Sequence, residues 1–480
     1  MIMQLDERLR EHVDGLAEPV SLDAVIGGVS LDAVIGGVDL VPPKGAAVAP
    51  LAPPTNTVLR AAAAAILIIF VLGTILIVRR GASSTVFADQ TSSTLPSLPD
   101  FPEAASGWQK IDNPFAPRTP GSAVAVQAAL AFNNAGWAVG SEWMFVPGNG
   151  KVDARKRGMI WRSDDGKTWE AIDADFGSFD TPAGNWVPSG IALEHIVASG
   201  NTLLAFGNEY RNGSVPVGYR STDGSNWQPI DVPFAADEQA QLVSVDVSGN
   251  RIAAVVIIDG LTLRQRTQLL ISDDRGGSWR VVPVDVEFNA SIHALSLLGD
   301  RVVLVGATNA LVGTGQSAKA AVWYSDDLTT WARATTPTSS STLSTVENGP
   351  TGLLSTGKYR SSIIDETQPA DDSSAVVWRS EDGSNWSALD FDLHADARQA
   401  EPRVVAHENG MLVLTPFDGG VEAITSTRSR TVSLGQLPAT RAITLLAIND
   451  RLVLVGATGS VATADAEETL SVWLGPNVAD

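Results

Sequence analysis

The side chains of this chain that could do chemistry are arginines, aromatics and carboxylates. Their densest gathering is the segment SEWMFVPGNGKVDARKRG at 141–158. It holds Trp143, Lys151, Arg155, Lys156 and Arg157 within an otherwise acidic stretch, and Trp186 follows. Two Tyr-Arg pairs, Tyr210-Arg211 and Tyr359-Arg360, read as occupying matching places in two repeats. An arginine fork grips carboxylate or phosphate, and aromatic faces serve as stacking platforms, so these residues suit an anionic or glycan ligand. A solvated basic loop with aromatics covering a domain edge also accounts for them.

Composition removes other chemistries. With no cysteine among 480 residues there is no disulfide, thiolate metal site, Fe–S cluster or cysteine nucleophile. His195, His293, His394 and His407 show no metal-ligand spacing, so no metal is expected, and no P-loop, dinucleotide fingerprint or Gly-x-Ser-x-Gly elbow implies a cofactor. The 54 acidic groups against 33 basic ones give a net charge of -21, which argues against nucleic acid as a partner.

The elements that must position these residues are set by a repeat. Five segments end a strand in Ser, enter an acidic turn and leave it at a tryptophan: IWRSDDGKTWEAI (160–172), GYRSTDGSNWQPI (218–230), LISDDRGGSWRVV (270–282), VWYSDDLTTWARA (322–334) and VWRSEDGSNWSAL (377–389). An Asp carboxylate in such a turn accepts from the turn's own N–H groups, Gly supplies the positive φ, and the Ser hydroxyl closes the loop. The tryptophan then plugs the apolar layer beneath. Upstream of each turn lies a hairpin pattern such as ALSLLGDRVVLVG (294–306). Each unit is therefore four strands recurring about every 50 residues.

These segments resemble the Asp-box, or BNR repeat, of sialidase-like β-propellers; residues 272–279 fit S-x-D-x-G-x-[ST]-W in full, and 325–331 lacks the glycine. The resemblance implies an all-β fold with structural roles for Ser163, Asp165, Trp169, Ser221, Asp223, Trp227, Ser272, Asp274, Gly276, Trp279, Ser325, Asp327, Trp331, Ser380, Asp382 and Trp386. Counting units predicts a seven-bladed β-propeller over 107–480. The last blade stops at LSVWLG without its tryptophan strand, and GWQKIDNPF (107–115) matches the missing piece, so an N-terminal strand is expected to close that blade. Alternating strand direction puts the Ser/Asp turns on one rim and the segments carrying Arg155, Arg157, Trp143, Trp186, Tyr210, Arg211, Tyr359 and Arg360 on the other, the expected ligand rim.

Sialidases of this repeat carry an Arg-Ile-Pro motif, a Tyr nucleophile paired with Glu and an acidic proton donor. No Arg-Ile-Pro occurs here, Tyr219 and Tyr324 sit in repeat strands, and sialidases have six blades. No catalytic residue is assigned, and the domain reads as a binding or scaffolding module for a glycan or protein ligand. The alternative is a different glycoside hydrolase using two rim carboxylates.

Ahead of this domain, AAAAAILIIFVLGTILIV (61–78) is uncharged and bracketed by Arg60, Arg79 and Arg80, as a transmembrane helix would be. Residues 1–60 form a short, mostly disordered tail with an amphipathic segment and two copies of SLDAVIGGV, at 21–29 and 30–38; residues 79–106 are a Ser/Thr/Pro-rich linker. The layout resembles actinobacterial single-pass proteins with a cytoplasmic N-terminus. It implies a plasma-membrane anchor, an extracytoplasmic propeller and a cytoplasmic protein partner for the tail.

Overall fold

The computed structural model describes residues 108–477 apart from 148–151, 178–188, 211–212, 235–238, 259–265, 288–289, 309–317, 338–340, 350–351, 360–374, 390–401, 408–409, 418–419, 426–427, 434–440, 450 and 459–468. The apolar run 61–78, the tail and the linker lie outside the described residues. So do Trp186, Arg211 and Arg360. Among the described residues no helix is long and apolar enough to cross a membrane.

All named elements are strands, and their polypeptide order gives their grouping. β1 (Gln109–Asp112) precedes a first group, β2 (Ala123–Phe132), β3 (Ala135–Pro147), β4 (Val152–Ser163) and β5 (Glu170–Ala171). Then come β6 (Ser189–Ser199), β7 (Thr202–Tyr210), β8 (Ser214–Ser221) and β9 (Gln228–Ile230), followed by β10 (Ala240–Ser248), β11 (Arg251–Ile258), β12 (Arg266–Ser272) and β13 (Arg280–Pro283). β14 (Ser291–Leu298), β15 (Arg301–Thr308), β16 (Lys319–Ser325) and β17 (Ala332–Arg333) repeat the plan, as do β18 (Ser341–Gly349), β19 (Gly352–Tyr359), β20 (Ala375–Ser380) and β21 (Ser387–Ala388). The remaining strands are β22 (Arg403–His407), β23 (Gly410–Phe417), β24 (Gly420–Thr425), β25 (Arg428–Ser433), β26 (Arg441–Ile448), β27 (Arg451–Thr458) and β28 (Thr469–Asn477).

Within each group the strands pair antiparallel in chain order. The first strand of each group packs beside the first strand of the next, and β26 returns to β2. This is the strand plan of a β-propeller. β1 supplies the outer strand of the last group, with Gln109 opposite Leu474 and Ile111 opposite Val472. Phe115, which follows β1, packs on Trp161 and Trp169 with ring centroids 5.5 and 5.0 Å away. Phe176, which follows β5, does the same to Tyr219 and Trp227 of the next group at 5.0 and 6.0 Å. The chain after β1 thus latches onto its neighbour as the chain after β5 does.

Two departures recur with the repeat. The first strand of most groups carries a β-bulge, with Gln127, Glu194, Val243, His293, Ser344 and Ile443 at the extra position. Opposite the residue before the bulge stands a glycine in all of these but β11, such as Gly207 facing Leu193 and Gly306 facing Ile292, whereas β11 has Val256 facing Leu242. Buried apolar clusters lie between neighbouring groups, so the core is a set of interfaces between sheets.

The Ser/Asp turns hold themselves together. Ser163, Ser221 and Ser380 Oγ accept from the Gly166, Gly224 and Gly383 N–H at 2.8–2.9 Å. Asp165, Asp223 and Asp382 Oδ1 each accept two further turn N–H groups at 2.7–2.9 Å. The indoles of Trp169, Trp227 and Trp386 donate to the glycine carbonyls at 3.0–3.2 Å. In the longer turn at 272–279 and the glycine-free turn at 325–331, the Trp279 and Trp331 indole nitrogens find no such partner.

Each turn glycine also sits on the neighbouring group. A Cβ at Gly224, where φ is +74°, would lie 2.1 Å from the Trp137 ring; at Gly276 and Gly383 it would approach Leu204 and Val303. Trp137, Leu204 and Val303 stand three residues before Gly140, Gly207 and Gly306. The residue at this place in β11 is Ala253, and the turn that follows has Leu328, with φ +62°, where the others have glycine. Ala253 and Leu328 share one buried cluster, so a leucine side chain fills from the turn what Trp137 or Leu204 fills from the strand.

Candidate functional site

The segment 141–158 is not a rim loop over most of its length. Residues on both sides of 148–151 belong to β3 and β4, paired from Gly136–Ser163 to Pro147–Val152. Cross-strand alternation splits the basic cluster between the two faces of this hairpin. On one face Arg157 faces Glu142 and ion-pairs with it. Glu142, fully buried, also accepts from the Thr119 N–H at 2.6 Å and Ser122 Oγ at 2.5 Å. Burial pushes the Glu142 carboxyl up, but the bonds from Ser122, Thr119 and Arg157 outweigh it and hold it below the usual range.

On the other face Trp143 lies opposite Lys156, and there β4 joins the next group by a parallel pairing of Lys156 with Gly190 of β6. Gly190 in turn lies opposite Tyr210 of β7. Trp143, Lys156, Gly190 and Tyr210 therefore form one row across four strands and two groups. Gly190 is required by close approach: its φ is +112°, and a Cβ would fall 1.8 Å from the Lys156 carbonyl oxygen. The Lys156 ammonium stands 4.2 Å from the Trp143 ring centroid and 4.6 Å from that of Tyr210, a cation sandwiched between two aromatic faces.

Behind the row sits Glu194, the bulged residue of β6. Tyr210 OH donates to Glu194 Oε1 at 3.2 Å and Asn208 Nδ2 donates to Oε2 at 2.9 Å. Asn208 also bonds both backbone groups of Leu242 on β10, at 2.9 and 3.0 Å, which ties the site to the third group. Burial draws the Lys156 ammonium down to about 8, against the raising effect of Glu194. Burial lifts the Glu194 carboxyl to about 7, against Lys156, Tyr210 and Asn208. Burial, then the Glu194 charge, drives the Tyr210 phenol well above its ordinary value.

Of the expected rim residues, Trp143 and Tyr210 meet in this row, and Arg157 lies on the opposite face of the hairpin. Arg155 precedes Lys156 and is paired with Ser189 in the parallel ladder. Tyr359 ends β19 opposite Ser341, but it does not match Tyr210. Tyr210 lies three residues after the glycine opposite the bulge (Gly207), and Tyr359 only two after Gly357, so the two are one residue out of register. The Asp residues of the turns bond within their own turns. Tyr219 and Tyr324 are strand residues, packed on Phe176 at 5.0 Å and under Arg301 at 4.7 Å. Among the described residues no group of three or more His, Asp or Glu gathers as metal ligands.

The residues that complete the site, Glu194, Asn208 and Gly190, have no repeat signature. Their one signal in the sequence is a charge inside an otherwise apolar strand, as in IALEHIVA.

No family model and no curated protein matches this chain. Solved structures similar to it include YCF48 bound to a D1 peptide, 12% identical with a TM-score of 0.45, the match covering 79% of this chain and 97% of that one. Another is a sialidase of Trypanosoma rangeli, 12% identical with a TM-score of 0.43; the match covers 77% of this chain and 60% of the sialidase. An α-L-arabinofuranosidase of Fusarium graminearum in complex with an iminosugar inhibitor is 13% identical, with a TM-score of 0.39 and coverage of 81% of this chain and 99% of that one.

Proposed function

We propose that this chain is a membrane-anchored, seven-bladed Asp-box propeller that binds a glycan or protein ligand beside the Trp143–Lys156–Tyr210 row and does not catalyse. The observation that carries the reading is the placement of the two carboxylates nearest the row. Glu142 and Trp143 are neighbours on β3 and point to opposite faces, so Glu142 is neutralised by Arg157 on one side while Glu194 sits with Lys156 on the other. A glycosidase needs its two carboxylates converging on one bond. What the row offers a ligand is the half-buried Trp143 indole. With the full-length protein in detergent on a glycan array, the expected result is binding that Trp143→Ala removes while the melting temperature holds. An array and a peptide panel both without Trp143-dependent binding would contradict it.

A second reading, an anchored glycoside hydrolase, draws on the Tyr210–Glu194 hydrogen bond, since the sialidases this repeat resembles pair a Tyr nucleophile with Glu. Turnover of fluorogenic glycosides separates the two. In this reading residues 61–78 are the anchor, the Ser/Thr/Pro-rich spacer at 79–106 supports a propeller outside the cell, and residues 1–60 lie in the cytoplasm with a protein partner. Protease added to intact cells then removes the propeller, and full protection would reverse this orientation.

A further inference from the structure

The Lys156 ammonium is held unlike the other cations that sit on rings. Among the described residues, Arg162 lies over Trp137, Arg301 over Tyr324 and Arg333 over Trp323, and each also ion-pairs with a carboxylate, that of Asp164, Asp326 and Glu287 respectively. Each of them therefore has one ring and an oxygen. Lys156 has two rings, 4.2 and 4.6 Å from Nζ, and is only 2% exposed. Among the described residues its three N–H groups meet no hydrogen-bond or ion-pair acceptor, whereas a buried primary ammonium ordinarily donates to oxygens. Glu194 supplies a negative field, but its two oxygens accept from Tyr210 and Asn208 instead.

Two aromatic faces, a carboxylate behind them and no acceptor at the cation make the environment of an ammonium with no N–H to donate. Aromatic cages hold trimethylammonium groups in this way: the ring quadrupoles attract the charge, and methyl groups stand where donors would otherwise need partners. The walls of this cage are fixed from several strands. Trp143 stands on β3, Gly190 brings β4 against β6, and Asn208 fastens Glu194 to both backbone groups of Leu242 on β10. What fills the cage is the end of a flexible lysine side chain, which can leave while the walls stay. One wall, Trp143, is half-buried and so reaches solvent.

We propose that the Trp143–Tyr210 cage, backed by Glu194, takes a ligand bearing a trimethylammonium group, and that Lys156 is an internal occupant which this ligand displaces. The proposal rests on the reading of the row as the ligand site and names the chemistry of what binds there. In the test, full-length protein in a maltoside detergent, which has no choline headgroup, is titrated with tetramethylammonium chloride, against methylammonium chloride and sodium chloride of equal ionic strength. Heat and tryptophan fluorescence are read. The expected result is saturable binding of tetramethylammonium, at least about tenfold tighter than methylammonium, lost in Trp143→Ala and about tenfold tighter again in Lys156→Ala, which vacates the cage. The wild type gives a second reading that needs no variant to fold. The titratable groups at the cage are Lys156, Glu194 of β6 and Tyr210 of β7; Trp143 and Leu242 add none. Between about pH 6 and about pH 9 the Glu194 carboxyl ionises, the Lys156 ammonium discharges and Tyr210 stays neutral, so affinity for a cation whose own charge does not titrate should rise. An acetylated trimethyllysine amide that binds more tightly than choline places the group on a peptide, and the reverse order places it on a small molecule; both fit the proposal. Equal affinity for methylammonium, tetramethylammonium binding that Trp143→Ala leaves unchanged, or no response beyond that to sodium chloride in wild type and Lys156→Ala alike overturns it. Trp143-dependent glycan binding beside such a failure leaves the reading of the row standing, and no Trp143-dependent binding of any kind overturns both.

Discussion

Ser380 shows how much of this fold rests on single polar atoms. Its buried Oγ accepts from the Gly383 N–H and lies 3.2 Å from Asp382 Oδ1. Ser380→Ala leaves that amide buried without a partner, and chemical denaturation should find the protein about 1–3 kcal/mol less stable. Lys156 carries a different signature. Burial lowers its pKa from 10.5 to about 8, so the unfolded chain takes up the proton more readily, and this group's contribution to stability rises as pH climbs from about 8 to 10.5. Glu194 has the opposite sense: its pKa is raised from 4.5 to about 7, and its contribution grows as pH falls through that window. Lysine 13C NMR should show Lys156 titrating near 8, and Glu194→Gln should move the midpoint lower, because the carboxylate supports the ammonium. A midpoint that stays put or rises would contradict the pairing. The turn aspartates were legible from spacing because their bonds span two to four residues. Lys156 read as part of a basic loop because its partners, Tyr210 and Glu194, lie across a parallel pairing that no local pattern encodes.

At the scale of the element, the exchange between Ala253 and Leu328 is the informative case. Most turns put glycine over a large strand residue, and this one puts leucine over alanine. Leu328→Gly should cost about 2–5 kcal/mol in lost packing, offset by roughly 1 kcal/mol of relieved left-handed backbone. Ala253→Leu should overpack by about 1–3 kcal/mol. The double variant should restore the common arrangement, so a double-mutant cycle is expected to give a favourable coupling of at least about 1 kcal/mol. Strict additivity would mean that the two side chains do not share the space. The missing glycine at 325–331 was visible in the sequence, but its compensation was not, because Ala253 lies one group earlier. The bulges were hidden for a related reason: Gln127, Glu194, Val243, His293, Ser344 and Ile443 have no side-chain property in common. What they share is backbone geometry. Trp137 of β3 fills the space that Gly224 leaves open above it, a match between two groups that no local pattern carries.

For the molecule as a whole, closure of the last group by β1 matters most, because it leaves β28 without a free edge. Ile111→Pro, which removes a ladder N–H opposite Val472, should lower the melting temperature and produce concentration-dependent association on light scattering; an unchanged, monodisperse protein would show that this strand is dispensable. This closure could be read in the sequence because GWQKIDNPF repeats a local motif. The row at Lys156 could not, because it exists only where two sheets meet. That row is the basis for reading the molecule as a binder with its carboxylates turned away from one another. The most direct measurement is hydrolysis of a fluorogenic sialoside and a fluorogenic arabinofuranoside by the full-length protein, beside its Tyr210→Phe and Glu194→Gln variants. The expected result is no turnover above the no-enzyme blank in any of the three. Turnover by the wild type that both variants abolish, with their melting temperatures unchanged, would contradict it.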